Sequence, residues 1–552
     1  MTAIDTMEAG NPRTEHHMSD VLLPDCVFEL SESIVQSSES PTDRSNEIFQ
    51  VSRDSGTYEV SISSHITLED YKALSRPKDW DLLTGYAERM KGKSVVFINP
   101  TMEGGGVAML RPPLVHMLNQ LGVEAHWFVM EGDEEVFRVT KKIHNIMQDR
   151  LDPEVHLTEE EKTVHWEWNQ KNAEVLKMQP SITEVDTLFI DDPQPAPLIT
   201  LLSPYLNNPH IVWRDHIHTD HELMSDGVSP QGKVADYLLK VCGVERVDAI
   251  IGHPREEFML PGMEDRTVFA PATTDPFDDL NRELSSDEVL EGIAFINNEI
   301  SKKNSELIRK GRDEDIMSPI DISRRRILLV ARFDESKGMD HAMKLGGLVR
   351  ERMKAQGYYD QQLPQIVLVG NGSVDDPSGQ PMYEQMLELR RQKYADEKDD
   401  FIIMRLRHNY AAMNALMSPS EAPMIGIQLS EKEGCETRIS DEIEHGVPVV
   451  AFNNGGMPLQ IIEGQSGYIL DYSSSDHDLE RGADTIARLL SNTGEFARLQ
   501  QTTKSTGETF NRVNFGTISN VIRILRTLDL VRTGQPVDKL WKMDDLVATQ
   551  LR

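Results

Sequence analysis

From residue 93 onward the chain alternates short apolar runs with longer segments whose apolar positions recur at helical spacing. SVVFIN, AHWFVM, DTLFID, HIVWRD and DAIIGH form a first series; RRRILLVARF, PQIVLVG, DFIIMRL, MIGIQLS and VPVVAF form a second. Near-continuous apolar runs of this length read as strands buried on both faces, and helix-length segments between them read as parallel crossovers. The pattern therefore predicts an α/β protein of two doubly wound domains. Residues 278–319 break the rhythm with a charged stretch that can hold helices but no buried strand. Upstream, YEVSISSHI alternates as a strand, and TLEDYKAL opens a helix with Thr67 as its N-cap. Order is expected to start there, at Tyr58. ISNVIRILRTL reads as a helix near the C-terminus, followed by a polar tail containing Trp541. Residues 1–50 crowd serine with acid, too little apolar surface to repay ordering, and are expected to be a disordered tail. The divisions expected are thus 1–50, a first lobe over 51–280, a connection over 281–323, a second lobe over 324–514, and a helix and tail over 515–552.

Composition narrows the classes of partner. At 552 residues the chain exceeds what one compact core supports. No apolar stretch approaches the roughly 20 residues that span a bilayer. The N-terminus carries acid and no apolar run, so no signal peptide is expected and the cytoplasm is the expected address. A formal charge of −34 disfavours nucleic acid and anionic membranes as partners. The three cysteines, Cys26, Cys242 and Cys435, are far apart, and neither a zinc site nor a disulfide framework is indicated. An acidic chain can still bind a phosphorylated small molecule where a few cations and a helix N-terminus gather in a cleft.

Four motifs could carry such chemistry. In NPTMEGGGVAML, Gly104, Gly105 and Gly106 follow a buried strand and precede apolar positions at helical spacing. They allow either a ligand close to backbone N–H groups or simply a tight turn. Pro112 and Pro113 are expected to kink or restart that helix. In VARFDESKG, Arg332 and Lys337 stand at the C-terminal edge of a parallel sheet, where α/β proteins bind ligands. The pair could neutralise a phosphate, or form surface salt bridges with Asp334 and Glu335. In EGCETRISDE, Glu433 precedes a helix carrying Asp441 and Glu442; an ionised Glu433 could accept sugar hydroxyls, or merely cap the helix. In WRDHIHTD, alternation sends His216 and His218 to one side, next to Arg214, with Asp215 and Asp220 nearby. A metal site and a ligand-facing His216 are equally open from spacing. The loops DDPQPAP, starting at Asp191, and HPREEF, around His253, follow neighbouring strands.

Taken in order, GGGVA, GVEAHWFVMEG, FRVTKKIHN, DDPQPAP, WRDHI, ATTDPFDDLN, ARFDESKG, NGSVDDPSG, EGCETRISDE and GGMPLQI resemble the retaining GT-B glycosyltransferases of family 4, in the branch of trehalose synthases and fungal-type trehalose phosphorylases. The resemblance covers roughly residues 90 to 515. It implies two Rossmann-like domains facing a central cleft, with a C-terminal helix crossing back. It also implies that Arg332 and Lys337 grip a phosphate, that Glu433 contacts the donor sugar, and that His216 lies in the pocket. Gly104, Gly105, Gly106, Arg214, Asp191, Glu436, Arg438, Asp441 and Glu442 are its expected substrate-binding positions. Two departures stand out: position 441 is Asp where the family's E-x7-E motif has its second Glu, and Asp191 replaces a histidine of the HDPQP form. Glu436 and Arg438 resemble the GFExKVSEA form of the phosphorylases more than the GFGLTVTEA form of the nucleotide-sugar enzymes.

The activity this implies is retaining transfer of glucose between trehalose and phosphate, with no metal or cofactor. Its ligands would be small-molecule sugars with phosphate or a nucleotide sugar, and a homodimer is compatible with it. Synthesis of trehalose from a nucleotide-activated glucose is the alternative within the family. A silent sugar-binding regulator and a metal-dependent hydrolase are the readings from other classes.

Overall fold

The computed structural model describes residues 47–102, 106–371, 379–406, 409–472 and 477–550. All fall within one compact unit, Arg44–Arg552. A short antiparallel hairpin, β1 (Gln50–Arg53) and β2 (Val60–Ser63), precedes two six-stranded sheets. The first sheet comprises β3 (Ser94–Asn99), β4 (Glu124–Val129), β5 (Thr187–Asp191), β6 (His210–Arg214), β7 (Ala249–Gly252) and β8 (Thr267–Phe269), in spatial order β4-β3-β5-β6-β7-β8. The second comprises β9 (Arg326–Val330), β10 (Gln365–Asn371), β11 (Phe401–Leu406), β12 (Met424–Gln428), β13 (Val449–Phe452) and β14 (Gly467–Leu470), in order β11-β10-β9-β12-β13-β14. Neighbouring strands pair in parallel throughout both sheets. Chain direction across the sheet reverses between β3 and β5 in the first lobe and between β9 and β12 in the second. Those are the switch points at which loops part and a ligand crevice opens.

Each sheet carries an apolar layer on both faces, so this is a doubly wound fold in both lobes. The helix Ser286–Arg309, capped by Ser285 with Glu288, turns Ile293, Ile296 and Ile300 onto one face of the second sheet. The charged stretch is therefore a layer of that lobe rather than a bare connector. Conversely, the helix Thr517–Thr533 returns to the first lobe, where Val521, Ile522, Leu525 and Leu528 share a cluster with Val95 and Phe97. Asp275 fastens this crossing, accepting hydrogen bonds from Tyr71 Oη (2.8 Å) and Thr517 Oγ1 (2.5 Å). Leu525 is fully buried. Leu525→Ala is expected to cost about 2 to 5 kcal/mol, the cavity cost of a core leucine, measured by denaturant unfolding.

Three sequence expectations are corrected. Order begins before Tyr58: β1 pairs with β2, Phe49 is buried, and the Ile48 N–H donates to Asp279 Oδ2 (2.7 Å). Of the expected tail, residues 1–46 lie outside the described residues. The helix Gly106–Gln120 does not restart at Pro112 and Pro113 but continues through them, with Leu110, Leu114, Val115, Met117 and Leu118 buried along it to offset the hydrogen bonds the prolines cannot donate. The segment after Trp541 is no loose tail. It forms the helix Met543–Gln550, burying Met543 and Leu546 against the core of the first lobe, and the Arg523 guanidinium donates to the Trp541 carbonyl at 2.6 and 3.0 Å. Among the described residues, no helix is long and apolar enough to cross a membrane.

Candidate active site

The carboxyl ends of the two sheets face each other across a cavity of about 250 Å³. Asn99, Lys141, His144, Asp192, His216 and His253 line it from the first lobe; Arg332, Lys337, Tyr410, Glu433, Glu436 and Arg438 line it from the second.

On the second lobe, β9 ends at Val330 and the chain turns through Arg332 into a single helical turn, Glu335–Lys337. Asp334 caps that turn by accepting from the Ser336 N–H and hydroxyl, both at 2.8 Å. Gly338 follows at φ +61°, and a Cβ there would lie 2.0 Å from the Leu429 carbonyl oxygen. Only glycine lets the turn press this closely against the loop after β12. The close approach buries Lys337 and brings its Nζ onto Glu433 and Glu436, the latter at 2.5 Å. Burial disfavours the ammonium, but the two carboxylates outweigh it and hold Lys337 above its usual range. Burial pushes Glu433 up against the pull of Lys337. Glu436 is also buried, yet Lys337 and Arg438 together bring it below the usual carboxylate range.

Asp441 and Glu442 sit one step apart on the helix Thr437–Glu444 and meet different surroundings. Asp441 pairs with Arg438 Nη1 (2.7 Å) and faces a separate cavity of about 10 Å³, with burial raising its carboxyl to about 6. Glu442 points into the lobe, accepts from Gln428 Nε2 (3.0 Å), and is pushed well above the carboxylate range by burial. A Cβ on Gly426 of β12 would lie 2.4 Å from its Oε2. Neither acid lines the main cavity.

On the first lobe, β6 ends at Arg214, so His216 and His218 belong to the following loop and strand alternation does not apply to them. His216 lines the cavity. His218 turns instead to the second lobe, with its Nδ1 3.3 Å from the Glu433 carbonyl oxygen. Burial lowers His216 to about 4, assisted by Arg214, and His253 to about 3, so both are neutral imidazoles at physiological pH. Among the described residues no three His, Cys, Asp or Glu side chains gather as a metal site would require. Asp191 and Arg214, both expected at the ligand, are fully buried behind the cavity wall. Asp191 pairs with Arg111, and Arg214 donates to the Pro271 carbonyl (3.3 Å). It is the next residue, Asp192, held at φ +69°, that reaches the cavity. Its carboxylate accepts the His216 N–H at 3.2 Å.

Of the sequence-derived positions, Arg332, Lys337, Glu433, Glu436, Arg438 and His216 are thus brought together around one cavity. Gly104 and Gly105 lie outside the described residues, and Gly106 opens the helix Gly106–Gln120. Sequence reasoning did not single out Lys141 and His144. They project from the helix Glu134–Met147, and Lys141 Nζ crosses the cleft to Asp334 Oδ2 (2.5 Å). Arg150 makes a second crossing, to Glu431 and to the Glu335 carbonyl (2.9 Å). Polarity did not mark them, since Glu134, Glu135, Arg138, Lys142 and Asn145 of the same helix are polar too; the one available signal was their place in FRVTKKIHN, a segment that carries the family resemblance.

Comparison with known proteins places these features in a family. A sequence profile described as "Trehalose synthase, N-terminal domain" matches residues 97–259. A trehalose phosphorylase of Pleurotus sajor-caju is 33% identical over 430 residues, covering 74% of this chain and 55% of the relative. A trehalose synthase of Thermococcus litoralis is 31% identical over 404 residues, covering 73% of this chain and 84% of the relative. The chain therefore spans about half the length of the fungal phosphorylases it matches. Among solved structures, an alpha,alpha-trehalose-phosphate synthase (UDP-forming) from Burkholderia xenovorans superposes with a TM-score of 0.56 at 14% identity, over 79% of this chain and 100% of that one. A sucrose-phosphate synthase from Thermosynechococcus elongatus gives 0.54, also at 14% identity, over 80% and 100%. These likenesses establish the two-lobed GT-B fold, and the sequence relatives go further: the chain belongs to the trehalose synthase and trehalose phosphorylase family of glycosyltransferases.

Proposed function

We propose that this chain catalyses reversible, retaining glucosyl transfer between trehalose and inorganic phosphate, giving glucose and α-glucose 1-phosphate, in the cytoplasm. In phosphorolysis the C1–O bond to the departing glucose breaks and a C1–O bond to phosphate forms on the same face. The proton of the phosphate passes to the oxygen of the departing sugar, so no separate acid is required, and attack by phosphate itself on that face requires no carboxylate nucleophile. Arg332 and Lys337 offset the charge of the phosphate as it enters and leaves the bond to carbon, fixed donors whose orientation is set before reaction. The neutral His216 faces the sugar from the opposite wall.

The observation that carries phosphate over a nucleotide is the seclusion of Asp441. The acid at the second position of the family motif is paired to Arg438 and opens only on the cavity of about 10 Å³, room for about one water and not for a ribose. The second reading, trehalose synthesis from ADP- or UDP-glucose and glucose, is favoured by the 31% identity over 404 residues to the trehalose synthase of Thermococcus litoralis. One assay separates them. Purified protein is expected to release glucose and glucose 1-phosphate from trehalose only when phosphate is added. Turnover that instead requires a nucleotide sugar supports the second reading. Sugar binding by calorimetry without turnover of any donor overturns both and leaves a binding protein.

A further inference from the structure

Behind the sugar-facing wall lies a buried charge pair that the reaction as described does not use. Arg111, from the helix Gly106–Gln120, is fully buried between Phe97 and Phe189, with its guanidinium 4.4 and 5.3 Å from their ring centres. It donates to Asn99 Oδ1 (3.2 Å) and to Asp191 Oδ2. The other carboxylate oxygen, Asp191 Oδ1, stands 3.5 Å from His216 Nε2, and neither atom has a hydrogen-bond partner elsewhere although both are fully buried. A lone pair on Nε2 facing a carboxylate would be repelled, whereas an N–H there is attracted. With Nε2 turned to Asp191, Nδ1 is the nitrogen left to face the cavity that His216 lines.

We propose that Asp191 is a positioning residue: paired with Arg111 behind the wall, it fixes His216 as the Nε2–H tautomer and so presents an unprotonated Nδ1 to a sugar hydroxyl in the cavity. His216 then accepts a hydrogen bond from the glucosyl group, and its ring plane is set by a partner that never touches substrate. The carboxylate needs the guanidinium, because an ionised Asp191 at zero exposure would otherwise be neutralised. Arg111 and Asp191 thus act as one unit on His216. The inference rests on reading this cavity as the glucosyl-transfer site.

The test is the tautomer itself. In protein labelled with ¹⁵N-histidine, long-range proton–nitrogen correlation spectra, assigned with His216→Gln, are expected to show His216 protonated at Nε2 and free at Nδ1. Asp191→Asn offers a carboxamide that can donate to Nε2, so the proton is expected to move to Nδ1. Its kcat should fall about 10- to 100-fold, the usual effect of removing a partner that orients a working histidine. KM for phosphate should not change, since phosphate sits on the opposite wall. Because that variant leaves Arg111 unpaired in the core, Arg111→Gln with Asp191→Asn is measured beside it. A wild-type His216 protonated at Nδ1, or a folded variant with wild-type kcat, would overturn the proposal. The spectra do not depend on turnover, so absence of trehalose phosphorolysis in the wild type would sink the assigned reaction while the tautomer still decides the role of Asp191.

Discussion

Lys337→Ala is expected to lower kcat/KM for glucosyl transfer by about 10²- to 10³-fold, the cost of losing one preorganised donor from a site of developing charge. Its Nζ is the cation shared by Glu433 and Glu436, so the substitution also leaves two buried carboxylates facing each other without the cation between them, with only the more distant Arg332 and Arg438 to offset them. Breaking a buried pair by removing one partner costs about 3 to 5 kcal/mol, and the sign of its pH dependence follows from the shifts. In the wild type Lys337 and Arg438 hold Glu436 below its ordinary value despite burial, which adds stability above the unfolded carboxyl pKa and withdraws it as pH falls through the folded one. In the variant burial and mutual repulsion raise both carboxyls, so folding takes up protons, and stability is lost as pH rises from the unfolded pKa through the raised folded values. The Tm deficit of Lys337→Ala relative to wild type should therefore be wide at pH 7.5 and narrower at pH 5. Adding Glu436→Gln should recover part of the Tm and none of the turnover. Wild-type kcat/KM in Lys337→Ala would remove this lysine from the reaction.

The parts of this site legible in the sequence share a physical cause. Strands buried on both faces appear as unbroken apolar runs, and the first polar residues after such runs fall at the carboxyl edge of a parallel sheet. Arg332, Lys337 and Glu433 are of this kind. Asp191 and Asp192 are adjacent at such an edge, yet only Asp192 reaches the cavity, because β5 ends at Asp191 and the chain turns at Asp192 with φ +69°, a turn that composition does not encode. Asp441 and Glu442 differ by one residue on a helix, a rotation of about 100°, enough to carry one to a small polar cavity and the other into the core beneath Gly426. Lys141 and His144 follow no strand. Their place depends on how the helix Glu134–Met147 packs against the first lobe, which sets the residues it turns to the cleft and is tertiary information. β8, three residues long, is too short to register as a run. The helix Met543–Gln550 was hidden by the polar residues that flank Met543 and Leu546.

Gly434→Ala is expected to lower kcat by about 10²-fold while leaving each lobe folded. A Cβ at this position would lie 2.3 Å from Cδ2 and Nε2 of His253 and 2.8 Å from the His216 carbonyl oxygen, all on the opposite lobe. The added methyl therefore strains the approach of the two lobes and not the loop that carries it. Lys337 and Glu433 stand on one side of that approach and His216 on the other, and a displacement of about 1 Å between reacting groups is enough to cost about 10²-fold in rate. Gly455→Ala supplies the contrast. That residue is at φ +53°, and a Cβ there would lie 1.7 Å from the Glu433 carbonyl oxygen within its own lobe, so the strain of about 1 to 3 kcal/mol falls on folding. Thermal unfolding should separate the two, with Tm near wild type for Gly434→Ala and clearly lowered for Gly455→Ala. Small-angle scattering should show a larger radius of gyration for Gly434→Ala than for wild type. Trimming the facing ring by His253→Ala in the same chain should return part of the lost rate, because it removes the two nearest atoms the methyl meets and leaves the His216 carbonyl oxygen at 2.8 Å. Full turnover in Gly434→Ala alone would mean that the lobes react without this contact, and that the cleft completes its chemistry from a more open arrangement.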